Sequence, residues 1–309
     1  MAYPTASGMP NYSGSGTNRF IPEIWSTKLI KKFYDATVLT AISNTEYEGE
    51  IKTHGDKVIM RTSPNITIKD YVIGQKLDYD RPESPAIELL IDKGKYFGFT
   101  VDDVHAYQAD IRLLDNWSTD ASEQLKIAIE TGILSTLYVD AASTNKGNTA
   151  GRKTGSLALG ATSAPLVLTK TNILDVIVDA GTALDENNIP ESGRYLLLPP
   201  HIIGLIKKSD FKDTNISGGS GEVIRNGRVG MIDRFTVYSS NLLPSTTDTG
   251  LCYYMYFGVP YALTFASQIT KTETLRAEST FGDLVRGLQV YGYKVIKPEA
   301  LGVIYGYKG

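Results

Sequence analysis

The chain has 309 residues, 42% hydrophobic and 21% charged, which is enough for one large domain or two ordinary ones and excludes wholesale disorder. Its formal net charge of −3 lacks the basic surplus with which a protein neutralises DNA phosphates. Its single cysteine, Cys252, excludes an intrachain disulfide, and a zinc site would need several Cys or His ligands.

Residues 1–19 are rich in Gly, Ser, Pro and Asn and carry no periodic apolar face, so they are expected to form an arm that orders only against another surface. They show no charged segment followed by an apolar one, so no signal peptide is expected. Nowhere does the chain reach the ~18 uninterrupted apolar residues of a membrane helix. Pro22 suits a first helical position, and Trp25, Leu29, Phe33 and Ala36 then recur at spacings of three and four, which predicts a helix fading near Ser43-Asn44.

From Glu46 to Val101 the pattern changes to strands. Val58–Thr62 and Asn65–Lys69 are β-rich, and Ile66 and Ile68 alternate with polar neighbours as in a strand with one wet face. Leu77–Pro85 is polar and turn-forming. Glu88–Asp92 returns as a strand, Lys93-Gly94 is expected to turn, and Tyr96–Val101 follows. This reads as a long projecting β-hairpin whose outer part holds too few apolar residues to stand alone.

Asp102-Asp103 then places negative charge where a helix dipole favours it. Val104, Tyr107, Ile111, Leu114, Trp117, Ala121, Leu125, Ile129, Ile133 and Leu137 keep the three-or-four spacing without a proline, predicting one helix from about Asp103 to Val139 that lies across a sheet. Residues 143–165 read as a loop or domain crossing. A second helix is expected over Thr171–Leu184, with Ile173, Val176, Ile177, Ala180 and Leu184 on one face and Asn187–Pro190 ending it. Tyr195–Leu198 is a buried strand stopped by Pro199-Pro200, and His201–Lys208 a short helix. Ser217–Gly221 is a flexible tip. Further strands are expected at Phe235–Tyr238, Leu251–Phe257, Ala262–Phe265, Thr270–Leu275, Leu284–Val295 and Leu301–Tyr305, so the class is α+β. Cys252, in the run Leu251–Phe257, is expected as a small buried strand residue, and its free thiol fits cytoplasmic synthesis. Nineteen tyrosines against nine phenylalanines suit contact surfaces, because a tyrosine buries its ring while its hydroxyl reaches a partner or water.

An enzyme would show converging titratable groups. His54, His105 and His201 stand far apart in different element types and read as surface or satisfied-core residues. Gly147–Thr154 has the wrong spacing for a phosphate loop, with Arg152 where the lysine belongs. Ser217–Gly221 lacks the strand–turn–helix context of a dinucleotide fingerprint, and no G-x-S-x-G elbow is present. Asp102 and Asp103 are adjacent and do not face each other on a helix, so a helix start is preferred over a metal pair. Asp78, Asp80 and Glu83 read as a solvated loop tip and Lys207-Lys208 as a surface pair. No catalytic, cofactor-binding or metal-ligating residue is assigned, and no cofactor.

Several segments, in order, carry a resemblance: Phe20–Ser26; Tyr47–Ile51 with Gly55–Val58; Ile68–Tyr71; Asp92–Phe97 running into Val101–Val104 with Gln108; and Val290–Leu301. With the order arm, short helix, long hairpin, very long helix and compact α/β region, they make the chain resemble the major capsid proteins of tailed bacteriophages with the Hong Kong 97-like fold. The resemblance covers nearly the whole chain. It implies an N-terminal arm (1–20), an N-terminal helix (21–43), an extended β-hairpin loop lying over a neighbour (44–101) and a peripheral domain with its spine helix (102–164). An axial domain (165–262) and return strands of the peripheral domain (263–309) would complete the subunit. It further implies a non-enzymatic subunit that assembles with itself, as pentamers and hexamers, into an icosahedral shell enclosing double-stranded DNA without sequence-specific binding. Implied partners are a separate scaffolding protein, since the arm is too short to be one, a portal and a decoration protein, with no membrane; the place is the virion, after assembly in the host cytoplasm. Some relatives cross-link a lysine to an asparagine; the extended loop has Lys69 and Lys76, but no matching asparagine or glutamate is found and no cross-link is expected. An encapsulin-like nanocompartment, which shares the fold and differs in cargo, is the alternative; an enzyme with a site of scattered carboxylates is a further one.

Overall fold

The computed structural model describes residues 34–46, 57–61, 64, 66–103, 113–209, 230–278 and 281–309. The expected arm, the first part of the N-terminal helix, His54, His105 and the Ser217–Gly221 tip lie outside these residues.

The elements in chain order are α1 (Leu39–Ile42), β1 (Lys57–Arg61), β2 (Ala86–Leu90), β3 (Lys93–Asp102) and α2 (Leu113–Asp140). Then come β4 (Leu166–Leu168), α3 (Ile173–Glu186), β5 (Arg194–Leu198), α4 (Pro200–Lys208), β6 (Met231–Ile232), β7 (Phe235–Ser239) and β8 (Ser245–Thr247). The last are β9 (Leu251–Gly258), β10 (Leu263–Arg276), β11 (Gly282–Val295) and β12 (Leu301–Lys308).

The core is a mixed sheet in the order β4-β12-β9-β5-β7-β6, with β8 also on β9. β5 runs parallel to β7 and β4 parallel to β12; the other pairs are antiparallel. All five residues of β5 are buried, as expected of a central strand covered on both faces. Successive residues of β9 point to opposite faces. On one face, Tyr256 donates its hydroxyl to the Leu134 carbonyl of α2 at 2.5 Å, and Tyr254 stacks on Tyr138 of α2 with centroids 4.3 Å apart. On the other face, Phe257 meets Phe235 edge-on at 6.2 Å, and Phe235 lies beside Gly181 of α3. Gly302 of β12 permits this packing, because a Cβ there would run into the Phe257 ring. β12 therefore joins the same sheet as the elements of residues 165–262, while β10 and β11 leave it.

α3 buries every residue of its expected stripe: Ile173, Val176, Ile177, Ala180 and Leu184. Asn187 follows as its cap, and Asn188 takes a left-handed φ of 56° that turns the chain away. α4 begins directly at Pro200, a favoured first-turn residue. Cys252 is buried and unpaired in β9.

β10, β11 and β3 form a second, three-stranded antiparallel sheet, and β1 and β2 a separate hairpin. Several expectations need correction. Within the described residues the N-terminal helix is limited to Leu39–Ile42, residues 34–38 being irregular, because Glu130 of α2 takes up the backbone N–H groups at its start. Residues 66–69 are not a strand: the hairpin closes between 57–61 and 86–90, and no described strand pairs with them. Lys93-Gly94 does not turn but opens β3, which pairs with β11 rather than with the hairpin. The two strands expected at 262–265 and 270–275 are one strand with a register shift between Ser267 and Ile269. The short strands β4, β6 and β8 were not foreseen. α2 is helical over 113–140, about 42 Å at 1.5 Å per residue, and residues 104–112 lie outside the described ones.

Candidate assembly surfaces

The segment between β1 and β2 projects from the subunit. Its root is held by a small apolar cluster of Val58, Met60, Leu89 and Ala266, and Lys294 donates to the Glu88 carbonyl at 3.0 Å. Beyond it the described residues form no ladder, consistent with Pro64, Pro82 and Pro85, which cannot donate to one. The far end turns at Val72–Gln75: Gln75 donates its N–H to the Val72 carbonyl at 3.0 Å, its side-chain oxygen accepts from Val72 N–H at 3.1 Å, and Gly74 supplies φ +88°. One exposed ion pair, Lys69–Asp80 at 2.9 Å, ties the two legs, and such pairs are worth under ~1 kcal/mol. Along these legs Ile66, Ile68, Tyr71, Val72, Ile73, Leu77 and Tyr79 are all exposed, with Ile68 at 90%, Ile73 at 94% and Tyr79 at 86%. A soluble monomer rarely shows so dense a run of large apolar side chains, and such a patch marks a contact surface.

The three-stranded sheet offers a second surface. Phe99 faces α2 and meets Trp117 edge-on at 5.9 Å, and Val101 and Val285 are buried on that face. Strand alternation puts Tyr96, Leu275, Leu284 and Leu288 on the opposite face, where all four are exposed. Between them lies a charged strip in which Glu273 pairs with Lys271 and, at 2.7 Å, with Arg286; both cations hold the Glu273 carboxyl below the usual range. At the far end Arg276 pairs with Asp103 and, at 3.2 Å, with Asp283, beside Phe281, which is 81% exposed. Asp103 thus serves in an ion pair at the close of β3.

The chain from Tyr34 to Glu46 straps across α2. The Tyr34 hydroxyl donates to Asp120 at 2.8 Å. Glu130 of α2, almost wholly buried, accepts Val38 N–H at 2.8 and 3.1 Å and Leu39 N–H at 3.0 Å. Burial pushes its carboxyl above the ordinary glutamate range, against the two N–H groups that pull it down. The strap then enters the core edge, Asn44 exchanging backbone hydrogen bonds with Leu263 and Phe265 of β10. Beside it opens a cleft of about 480 Å³ lined by Asn44, Glu46, Pro190, Tyr261 and Lys297 among others.

The residues weighed for chemistry are scattered. His201 sits at the start of α4 with its ring 4.8 Å from Tyr253; burial, then Lys308, hold its imidazole below the ordinary range. Asp78, Asp80 and Glu83 lie exposed on the projecting segment, and Lys207 and Lys208 are exposed at the end of α4. Among the described residues no three His, Cys, Asp or Glu are grouped to hold a metal ion, and no helix is long and apolar enough to cross a membrane. One polar hub went unforeseen. Arg194, wholly buried, donates to Asp185 at 2.6 Å and to the carbonyls of Ile189, Pro190 and Gly181 at 2.6, 2.9 and 3.3 Å, binding β5 to the end of α3.

A family model described as phage capsid protein matches residues 87–305. The chain belongs to the phage capsid protein family. No curated protein matches it significantly. Among solved structures the subunit is similar to that of Mycobacterium phage Che8, with 27% identity over 93% of this chain and 98% of that one and a TM-score of 0.74. It is also similar to the capsid of Cyanophage P-SCSP1u (16% identity, all of both chains, TM-score 0.72) and to the mature capsid of bacteriophage PhiM1 (15%, 98% and 96%, 0.68). The fold is the Hong Kong 97-like α+β fold of tailed-phage major capsid proteins, and this protein is a structural subunit of a phage capsid, located in the virion shell.

Proposed function

We propose that copies of this subunit join as pentamers and hexamers into an icosahedral head that encloses double-stranded DNA, and that the subunit itself catalyses no reaction. The observation that carries this reading is the projecting segment: seven large apolar side chains between Ile66 and Tyr79 stand in solvent in the single subunit. Covering each would contribute about 1.5–3 kcal/mol, and a neighbouring subunit is the cover a shell provides. In this reading residues 1–20 reach a neighbour as an arm, 21–43 lead into the strap, and 44–101 form the extended loop. Residues 102–164 and 263–300 then make the peripheral domain and 165–262 the axial domain, whose sheet β12 completes. The net charge of −3 fits a wall that encloses DNA without gripping its phosphates. A separate scaffolding protein guides assembly in the host cytoplasm, and a portal and a decoration protein complete the head.

The test is size exclusion followed by negative-stain electron microscopy of the purified protein, alone and with a candidate scaffolding protein. Closed shells hundreds of ångströms wide are expected. A ~34 kDa monomer that persists with the scaffold would refute the reading. Deleting residues 1–18 should leave a folded subunit that assembles poorly; normal shells from that truncation would remove the arm from the account.

A further inference from the structure

Glu130 is out of place by the ordinary rules of burial. A carboxylate that is 1% exposed normally faces a cation. Among the described residues none pairs with Glu130, and its hydrogen-bond partners there are the N–H groups of Val38 and Leu39. The charged groups on the surrounding elements are turned elsewhere. One helical turn earlier Lys126 pairs with Glu123 at 2.7 Å; on the strap, Asp35 accepts from Asn241 at 3.4 Å and Glu46 from Asn44. The start of β10, where the strap ends, reads Leu263-Thr264-Phe265-Ala266 and carries no charge; opposite it on β11, Lys294 donates to the Glu88 carbonyl at 3.0 Å and Tyr293 shares a hydrogen bond with the Thr136 hydroxyl at 2.6 Å. Among the described residues, burial and the two N–H groups are what act on the Glu130 carboxyl.

Apolar side chains also hold the strap, with Val38, Leu39 and Ile42 in the main core. The strap further has one four-residue helical turn, an exposed tyrosine contact to Asp120 and the Asn44 bridge to β10. Lifting residues 34–42 from α2 would leave the central sheet whole and return Glu130 to water.

We propose that the strap is a latch whose docking on α2 takes up a proton at Glu130. Docked, the carboxyl is dry and, among the described residues, without a counter-charge; released, it is an ordinary solvated glutamate. The docked form therefore holds the proton more tightly, and by linkage protons favour docking. The docking constant is flat below the ordinary glutamate range, falls by about tenfold per pH unit from there up to the raised value of the docked state, and is flat again above it.

Hydrogen exchange of the full-length, unassembled subunit tests this, read at the Val38 and Leu39 amides and corrected for the intrinsic pH dependence of exchange. Protection of these amides is expected to fall as pH rises through the mildly acidic range, by up to about tenfold per unit, while the Leu196–Leu198 amides of β5 hold constant. In Glu130→Gln, which has no proton to exchange, protection at 38–39 is expected to be independent of pH. Constant protection at 38–39 in the wild-type chain would overturn the proposal without need of any variant. So would a Glu130→Gln chain that keeps the wild-type slope.

Discussion

Replacing Ile68, Ile73 and Tyr79 together by serine separates the stability of the subunit from its assembly. All three stand at 86% exposure or more, so each substitution should change the stability of the isolated subunit by no more than about 0.5 kcal/mol. If a neighbour covers them in the shell, each contributes about 2 kcal/mol there, or roughly 6 kcal/mol per subunit. At 1.4 kcal/mol per factor of ten, that weakens association roughly ten-thousand-fold. Thermal unfolding of the unassembled subunit gives the first quantity. The threshold concentration for shell formation, followed by light scattering and checked by electron microscopy, gives the second. An unchanged melting temperature with assembly abolished is the expected pair. Shells forming at the wild-type threshold would refute the argument, since the exposed side chains would then have no partner.

Three variants test the subunit itself. Arg194→Met should cost about 3 kcal/mol in urea unfolding, because it strands the carbonyls of Gly181, Ile189 and Pro190; a loss under 1 kcal/mol would mean that they find other donors. Burial pushes the Asp185 carboxyl up, but hydrogen bonds from Arg194 and Arg234 outweigh it and hold it below the usual range. This depressed carboxyl stabilises the fold above its unfolded value of about 3.9 and ceases to as pH falls through its lower folded value. The acid-side loss of stability should therefore shrink in Arg194→Met, as urea midpoints at neutral and acid pH will show. Gly160→Ala should cost about 3 kcal/mol, because the residue sits at φ +84° and a Cβ would run into the Tyr305 carbonyl; a subunit melting as the wild type does would contradict this. Trp117→Ala should cost only about 1 kcal/mol, since the ring is 43% exposed and its described ring contact is the edge of Phe99; a loss of 3 kcal/mol or more would place it in the core.

What could be read from sequence follows what a single chain buries for itself. The α3 stripe from Ile173 to Leu184 and the strand Tyr195–Leu198 were legible because their apolar spacing matches a face that this same chain covers. On α2 the same spacing located the face, and Ile129, Ile133 and Leu137 are indeed buried, yet Trp117 on that stripe is not. Periodicity reports which side is apolar, not what covers it. Ile66 and Ile68 show the same limit: their alternation is that of a strand, but a strand needs a partner, and the described residues supply none. The strand Ser245–Thr247 escaped because three polar residues on a sheet edge have no hydrophobic period. Glu130 had a signal that went unread. It lies four residues before Leu134 and seven before Leu137, so it is a charge placed on a buried stripe, and that spacing alone calls for a partner.

The position of β12 bears on timing. It is laid between β9 and β4, so Leu166–Leu168 keep an open edge until residues 306–308 arrive beside them. A chain emerging from the ribosome presents β4, α3, β5 and β9 long before it presents β12, and contacts so distant in sequence form slowly. Until β12 is made, nothing joins β4 to β9, and the central sheet stays in two parts. The strand that completes the sheet is thus made after every other strand in it, and the closing of the core waits on it.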